Sequence, residues 1–150
     1  MKLSAENLLC SNIKATNMIK LEHIGIAVKN LESSIPVFEK LLNTSCYKTE
    51  KVDSENVNTA FFKKGESKIE LLECTTEDGV IAKYIDKKNE GIHHLAFEVA
   101  DIEAEMKRLQ DEGFVLLNPF PKKGADNKLI CFLHPKSTNG VLIEICQEIK

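Results

Sequence analysis

Two stretches of the chain, 71 residues apart, repeat one alternation of apolar and polar positions. Leu21-Glu22-His23-Ile24-Gly25-Ile26-Ala27-Val28 and Ile92-His93-His94-Leu95-Ala96-Phe97-Glu98-Val99 place apolar or small residues in register at Leu21/Ile92, Ile24/Leu95, Gly25/Ala96, Ile26/Phe97 and Val28/Val99. Each stretch reads as a β-strand. The likeness continues beyond the strands. Asn30 and Asp101 are N-cap residues, and each opens an amphipathic helix. The first runs through Ile35, Phe38, Leu41 and Leu42; the second runs through Ile102, Met106 and Leu109 and stops near Gly113. Three strand-like runs come next in each half, near 46–52, 57–63 and 68–74, and near 115–117, 128–133 and 141–146. A helical linker around 80–87 joins the halves.

The pattern predicts an α+β fold of two tandem βαβββ modules, about 19–76 and 90–148. Each module is too small for a good core alone, so the two pack into a single domain over 19–150 with strongly curved sheets. Residues 1–18 have no clear period and read as an N-terminal extension.

Composition narrows the function classes. At 150 residues, 43% hydrophobic and 29% charged, the chain has the make-up of a soluble globular protein. Its net charge of −3, with no basic run longer than two residues, argues against nucleic-acid binding. No apolar run approaches the ~20 residues that cross a membrane, and the first residues lack the apolar segment of a secretory signal. Cys10, Cys46, Cys74, Cys131 and Cys146 are scattered without a C-x-x-C pair, which reads as reduced thiols in the cytoplasm. No G-x-S-x-G, P-loop or dinucleotide-binding glycine pattern is present.

The repeat also carries polar residues where strands are otherwise apolar. His23 and His94 hold the same place in the first strand of each half; Glu70 and Glu144 hold the same place in the last. A lone strand histidine is usually a satisfied core residue, and a glutamate between Ile and Leu is usually the outward member of a strand. Four such residues related by one repeat are harder to dismiss. A buried carboxylate costs several kcal/mol unless it is paired or bound to metal. Two His and two Glu suit a divalent cation, with water completing its shell. His93 precedes His94 and falls on the opposite strand face by alternation. His134, before Pro135, reads as turn chemistry, and Cys74, Cys131 and Cys146 read as core.

At these residues the sequence resembles the vicinal oxygen chelate superfamily, the glyoxalase and dioxygenase relatives. Within it, the chain is most similar to the methylmalonyl-CoA epimerases. The matching stretches are His23-Ile24-Gly25-Ile26-Ala27-Val28, Ile69-Glu70-Leu71-Leu72-Glu73, Ile81-Ala82-Lys83-Tyr84, Gly91 through Val99, Phe132-Leu133-His134-Pro135-Lys136-Ser137 and Gly140-Val141-Leu142-Ile143-Glu144. The resemblance implies a half-barrel-like mixed sheet around a metal site, a homodimer, and a divalent ion (Co, Mn, Ni or Zn) on His23, Glu70, His94 and Glu144. The position of Glu70 is Gln in some members. Some epimerases carry a second active-site carboxylate in the strand where this chain has Asn56-Val57-Asn58-Thr59-Ala60; here only Glu50, Asp53 and Glu55 precede it.

The implied chemistry is interconversion of (R)- and (S)-methylmalonyl-CoA by removal of the C2 proton, with Glu144 as general base on one face and the opposite face unassigned. The phosphates of an acyl-CoA substrate call for cations, and Lys136 and Ser137 are the candidates, with Lys122 and Lys123 behind them. The alternatives are a glyoxalase I-type lactoylglutathione lyase, an Fe(II) dioxygenase, which the fourth ligand Glu70 disfavours, and a metal-free binding protein on the same fold.

Overall fold

Each module opens with a strand that hands over to a capped helix. The computed structural model describes residues 18–150, so nearly all of the expected extension over residues 1–18, and Cys10 with it, lies outside the described residues. In chain order the elements are β1 (Met18–Ala27), α1 (Leu31–Leu42), β2 (Lys48–Val52), β3 (Val57–Lys64), β4 (Ser67–Cys74), α2 (Val80–Lys88), β5 (Gly91–Val99), α3 (Ile102–Asp111), β6 (Lys122–Lys123), β7 (Lys128–Leu133) and β8 (Ile143–Glu148). The caps act as the sequence predicts. Asn30 Oδ1 accepts the Ser33 N–H at 2.8 Å, and Asp101 Oδ1 accepts the Ala104 N–H at 3.0 Å. Gly113, at φ +92°, lies just past α3 in a left-handed conformation that glycine adopts without strain.

The eight strands form one mixed sheet in the order β2-β3-β4-β1-β5-β8-β7-β6. β1 and β5 pair antiparallel at its centre, and each is flanked by the parallel last strand of its own module, β4 or β8. The order is therefore symmetric about the β1/β5 seam, as a tandem repeat requires. α1 packs Leu31, Ile35, Phe38 and Leu42 against Ala60, Phe62 and Leu71. α3 packs Ile102, Met106 and Leu109 against Cys131, Leu133 and Ile145. With these faces covered by helices, the curled sheet keeps its other face for the site. Ion pairs tie its two ends together: Glu55 to Lys122 at 2.6 Å, and Lys48 to Asp126 at 3.1 Å.

Two expectations are corrected. Leu41 does not join the buried stripe of α1; it is 70% exposed, because the stripe is satisfied by its neighbours three and one residues away. The run at 115–117 forms no strand either. It leaves a single bridge, Leu116 to Leu133, and the pairing with β7 resumes at Lys122–Lys123. Pro119 and Pro121 lie between, and neither has an N–H to offer a ladder.

Candidate metal centre

The site is built by register on the central seam. In β1/β5, His23 lies opposite Ala96 and Gly25 lies opposite His94, so each imidazole stands across from a small residue of the other strand. At Gly25 this is a steric necessity: a Cβ there would come within 2.2 Å of His94 Cε1. The flanking strands repeat the symmetry. Gly25 pairs with Glu70 and Ala96 with Glu144, while Phe61 and Phe132 stand beside those glutamates on β3 and β7.

Strict alternation sends Glu22 and His93 to the opposite face, and here the structure differs. Leu21 pairs with Phe97 and His23 with Ala96, which leaves Glu22 as an extra residue; His94 pairs with Gly25 and Ile92 with Ile26, which leaves His93 as another. Both are β-bulges, related by the same 71-residue shift. A bulge re-aims side chains, and both residues now border the site cavity. His93 is thus corrected from the far face to the site, where its Nδ1 lies 3.0 Å from His94 Nδ1 and its ring meets Tyr84 edge-on. The signal was present in the sequence as two consecutive polar residues at one place in both strands.

Four ligand-type side chains converge at the bottom of this cavity. His23 Nε2 lies 3.0 Å from both His94 Nε2 and Glu70 Oε2. His94 Nε2 is 3.5 Å from Glu144 Oε2 and 3.7 Å from Glu70 Oε2. All four residues are at most 6% exposed. Ligand atoms bound at ~2.1 Å and at right angles are ~3 Å apart, so this spacing suits one small cation. His23, His94 and Glu144 each offer an atom within 4.8 Å of the others. Two buried carboxylates facing two imidazoles are also a donor set that needs a positive charge between them.

Electrostatics divides the pairs. Burial pushes the Glu144 carboxyl up to about 8, aided by the nearby Glu70 charge and opposed by His23. Burial lowers His23, but Glu70 and Glu22 overcome it and hold its proton well above the usual range. Burial and the neighbouring His23 charge drive His94 well below that range, and burial with Lys88 takes His93 down to about 4. Glu22 is the reverse of Glu144: burial raises it, yet hydrogen bonds from His23 and Lys68 bring it down to about 2.

Glu22 is a residue of the site that strand alternation alone does not reveal. Its Oε2 forms a short hydrogen bond with His23 Nδ1, which orients the ring so that Nε2 faces the centre. Its Oε1 meets Lys68 Nζ at 2.5 Å, and Lys68 in turn meets Asp126 at 2.6 Å. The cavity above is about 260 Å³, lined by these polar groups and by Phe61, Phe132, Val57 and Leu72 among the apolar ones. Lys122 borders it; Lys123 is exposed on the same short strand. Lys136 and Ser137 do not line it. They form a 3-10 turn capped by His134, whose Nδ1 accepts the Lys136 N–H, and Ser137 Oγ donates to the His134 carbonyl.

Residues 22–132 match the model of the glyoxalase/bleomycin resistance protein/dioxygenase superfamily. The chain is 38% identical to protein YqjC of Bacillus subtilis over 130 residues, 87% of this chain and 93% of that one. It is 37% identical to the ethylmalonyl-CoA/methylmalonyl-CoA epimerase of Cereibacter sphaeroides, covering 85% of this chain and 97% of that one. Among solved structures, a variant of Streptomyces coelicolor methylmalonyl-CoA epimerase in complex with 2-nitronate-propionyl-CoA superposes with a TM-score of 0.85. It shares 32% identity over 89% of this chain and 99% of that one.

Proposed function

The chain belongs to the glyoxalase/bleomycin resistance protein/dioxygenase superfamily, within its methylmalonyl-CoA epimerase branch, and from that premise we propose that it is an isomerase interconverting (R)- and (S)-methylmalonyl-CoA. One observation carries the proposal: Glu144 sits with His23, Glu70 and His94 in a buried His/Glu quartet under a mostly apolar cavity. The catalytic unit proposed is the whole of 19–150, acting as a cytoplasmic homodimer.

The substrate carbon lies between a thioester and a carboxylate, and both acidify its C–H bond. His23, Glu70, His94 and Glu144 are the residues proposed to hold a divalent ion, Co, Mn, Ni or Zn, which when bound supplies Lewis-acid stabilisation of the charge that develops on deprotonation. Glu144 accepts the C2 proton on one face, a role worth ~10²–10⁴ in rate. Glu22 keeps His23 in one orientation through its Nδ1, and the bulged His93 does the same for His94. Phe61 and Phe132 stand beside the carboxylates on β3 and β7 and line the cavity. For the coenzyme A phosphates the proposed cations are Lys136, beside Ser137, with Lys122 and Lys123.

The test is incubation with each methylmalonyl-CoA epimer in heavy water, reading deuterium at C2 and formation of the other epimer. Both are expected, and Glu144→Gln lowers formation of the other epimer by ~10²–10⁴ while substrate affinity changes less. A chain that leaves methylmalonyl-CoA untouched and isomerises the glutathione hemithioacetal of methylglyoxal is a lyase instead, and the proposal fails.

A further inference from the structure

Inversion at C2 needs a proton delivered on the face that Glu144 does not reach. Among the described residues, the carboxylates bordering the cavity are Glu22, Glu55, Glu70, Asp126 and Glu144. Most are committed. Glu22 is held by His23 and Lys68, Glu70 belongs to the quartet, and Asp126 is bound between Lys48 and Lys68. Glu55 is held by a single residue, Lys122, whose Nζ lies 2.6 Å from its buried Oε1.

The surroundings single it out further. Of the acidic residues at the end of β2, Glu50 accepts the Asp126 N–H at 2.9 Å, and Asp53 points to solvent, paired with Lys51. Only Glu55, at the end of the 3-10 turn Asp53–Glu55, borders the cavity. Thr59 on the adjacent strand is a buried cavity residue whose hydroxyl donates to the Glu50 carbonyl, so no second carboxylate competes for the space. Glu55 enters from the β2–β3 connection at one end of the sheet, whereas Glu144 enters from β8 in the other half. Its side chain is 26% exposed, and its partner Lys122 is 45% exposed, so the pair has access to bulk protons.

We propose that Glu55 is the proton carrier on the face of C2 opposite Glu144, held at the cavity wall by Lys122; this rests on the epimerase reading above. In one direction the C2–H bond breaks toward the Glu144 carboxylate, its electron pair stays on the substrate as an enolate, and Glu55 in its acid form gives its proton to the other face. In the reverse direction the two exchange roles. Both then equilibrate with water, so no other reactant is consumed.

The experiment tracks each epimer separately in heavy water, with the two diastereomeric thioesters resolved chromatographically. Glu55→Gln is expected to lower inversion of either epimer by ~10²–10⁴, while the epimer whose C2 proton faces Glu144 keeps its deuterium exchange within about threefold of the unaltered protein. That retained exchange reports an intact fold and quartet. Glu55→Asp, which keeps a carboxylate, restores part of the inversion. Inversion at the unaltered rate in Glu55→Gln overturns the assignment. Equal loss of exchange from both epimers in Glu55→Gln overturns it too, by making Glu55 a structural residue. An unaltered protein that neither exchanges nor inverts the substrate overturns the epimerase reading itself, and this assignment with it.

Discussion

His23 and His94 occupy equivalent positions, yet their second nitrogens have different partners: a carboxylate for His23, and an imidazole for His94. A carboxylate accepts strongly from a ligand histidine; a neutral imidazole accepts more weakly, and one held down to about 4 stays neutral through the working pH range. His94→Ala is therefore expected to abolish stoichiometric metal and activity together. His93→Ala is expected to weaken metal binding by ~10–100-fold without abolishing it. Metal content after dialysis, read by elemental analysis, separates the two outcomes. Gly25→Ala tests the seam itself. Its Cβ would meet three atoms of the His94 ring at 2.2–2.7 Å, so the ring must swing from its place. The expected result is a folded protein by circular dichroism that has lost metal binding.

At the scale of elements, the two bulges and the ends of the sheet do most to shape the site. Without the bulge at Glu22, the residue that orients His23 would face away from it. The sheet ends meet through Asp126, which pairs with Lys48 and Lys68 and takes the Glu50 carboxylate on its backbone N–H. Asp126 sits at φ +54°, a conformation that Asn also tolerates. Asp126→Asn therefore keeps the turn and removes the charge. It is expected to cost about 1 kcal/mol, a fall of ~2–4 °C in melting temperature, and the difference should shrink at high salt. Differential scanning calorimetry at two ionic strengths checks it.

For the whole molecule, stability is linked to pH through the buried quartet. The folded-state Glu144 carboxyl is raised from 4.5 to about 8. A carboxyl raised in this way favours folding while it is protonated, so in the metal-free protein its contribution is full below about 4.5 and is lost as pH rises toward about 8. Glu22 works oppositely. Lowered from 4.5 to about 2, it contributes above about 4.5 and loses that contribution as pH falls toward about 2. A divalent ion held by the quartet as proposed would displace the protons on Glu144 and His23, so the rise in melting temperature on adding Mn²⁺ or Co²⁺ is expected to be larger at pH 8 than at pH 6. A chelator-treated sample at each pH provides the baseline, and Glu22→Gln should flatten the acid limb below pH ~4.5.

What the sequence by itself determined is local or periodic. Asn30 and Asp101 cap their helices through groups three residues away, and the repeat with its polar exceptions marks His23, Glu70, His94 and Glu144, because a side chain that breaks strand periodicity is visible in one dimension. Tertiary structure alone decided the rest. The face on which Glu22 and His93 lie depends on where β1 and β5 slip by one residue, and a slip in register leaves both local patterns unchanged. That Glu55 meets Lys122, and Lys48 meets Asp126, depends on how far the sheet curls to bring its ends together across 67 and 78 residues of chain. Leu41 and the 115–117 run depart from their local pattern for the same reason: burial and pairing are settled by which neighbours arrive, and propensity does not carry that information.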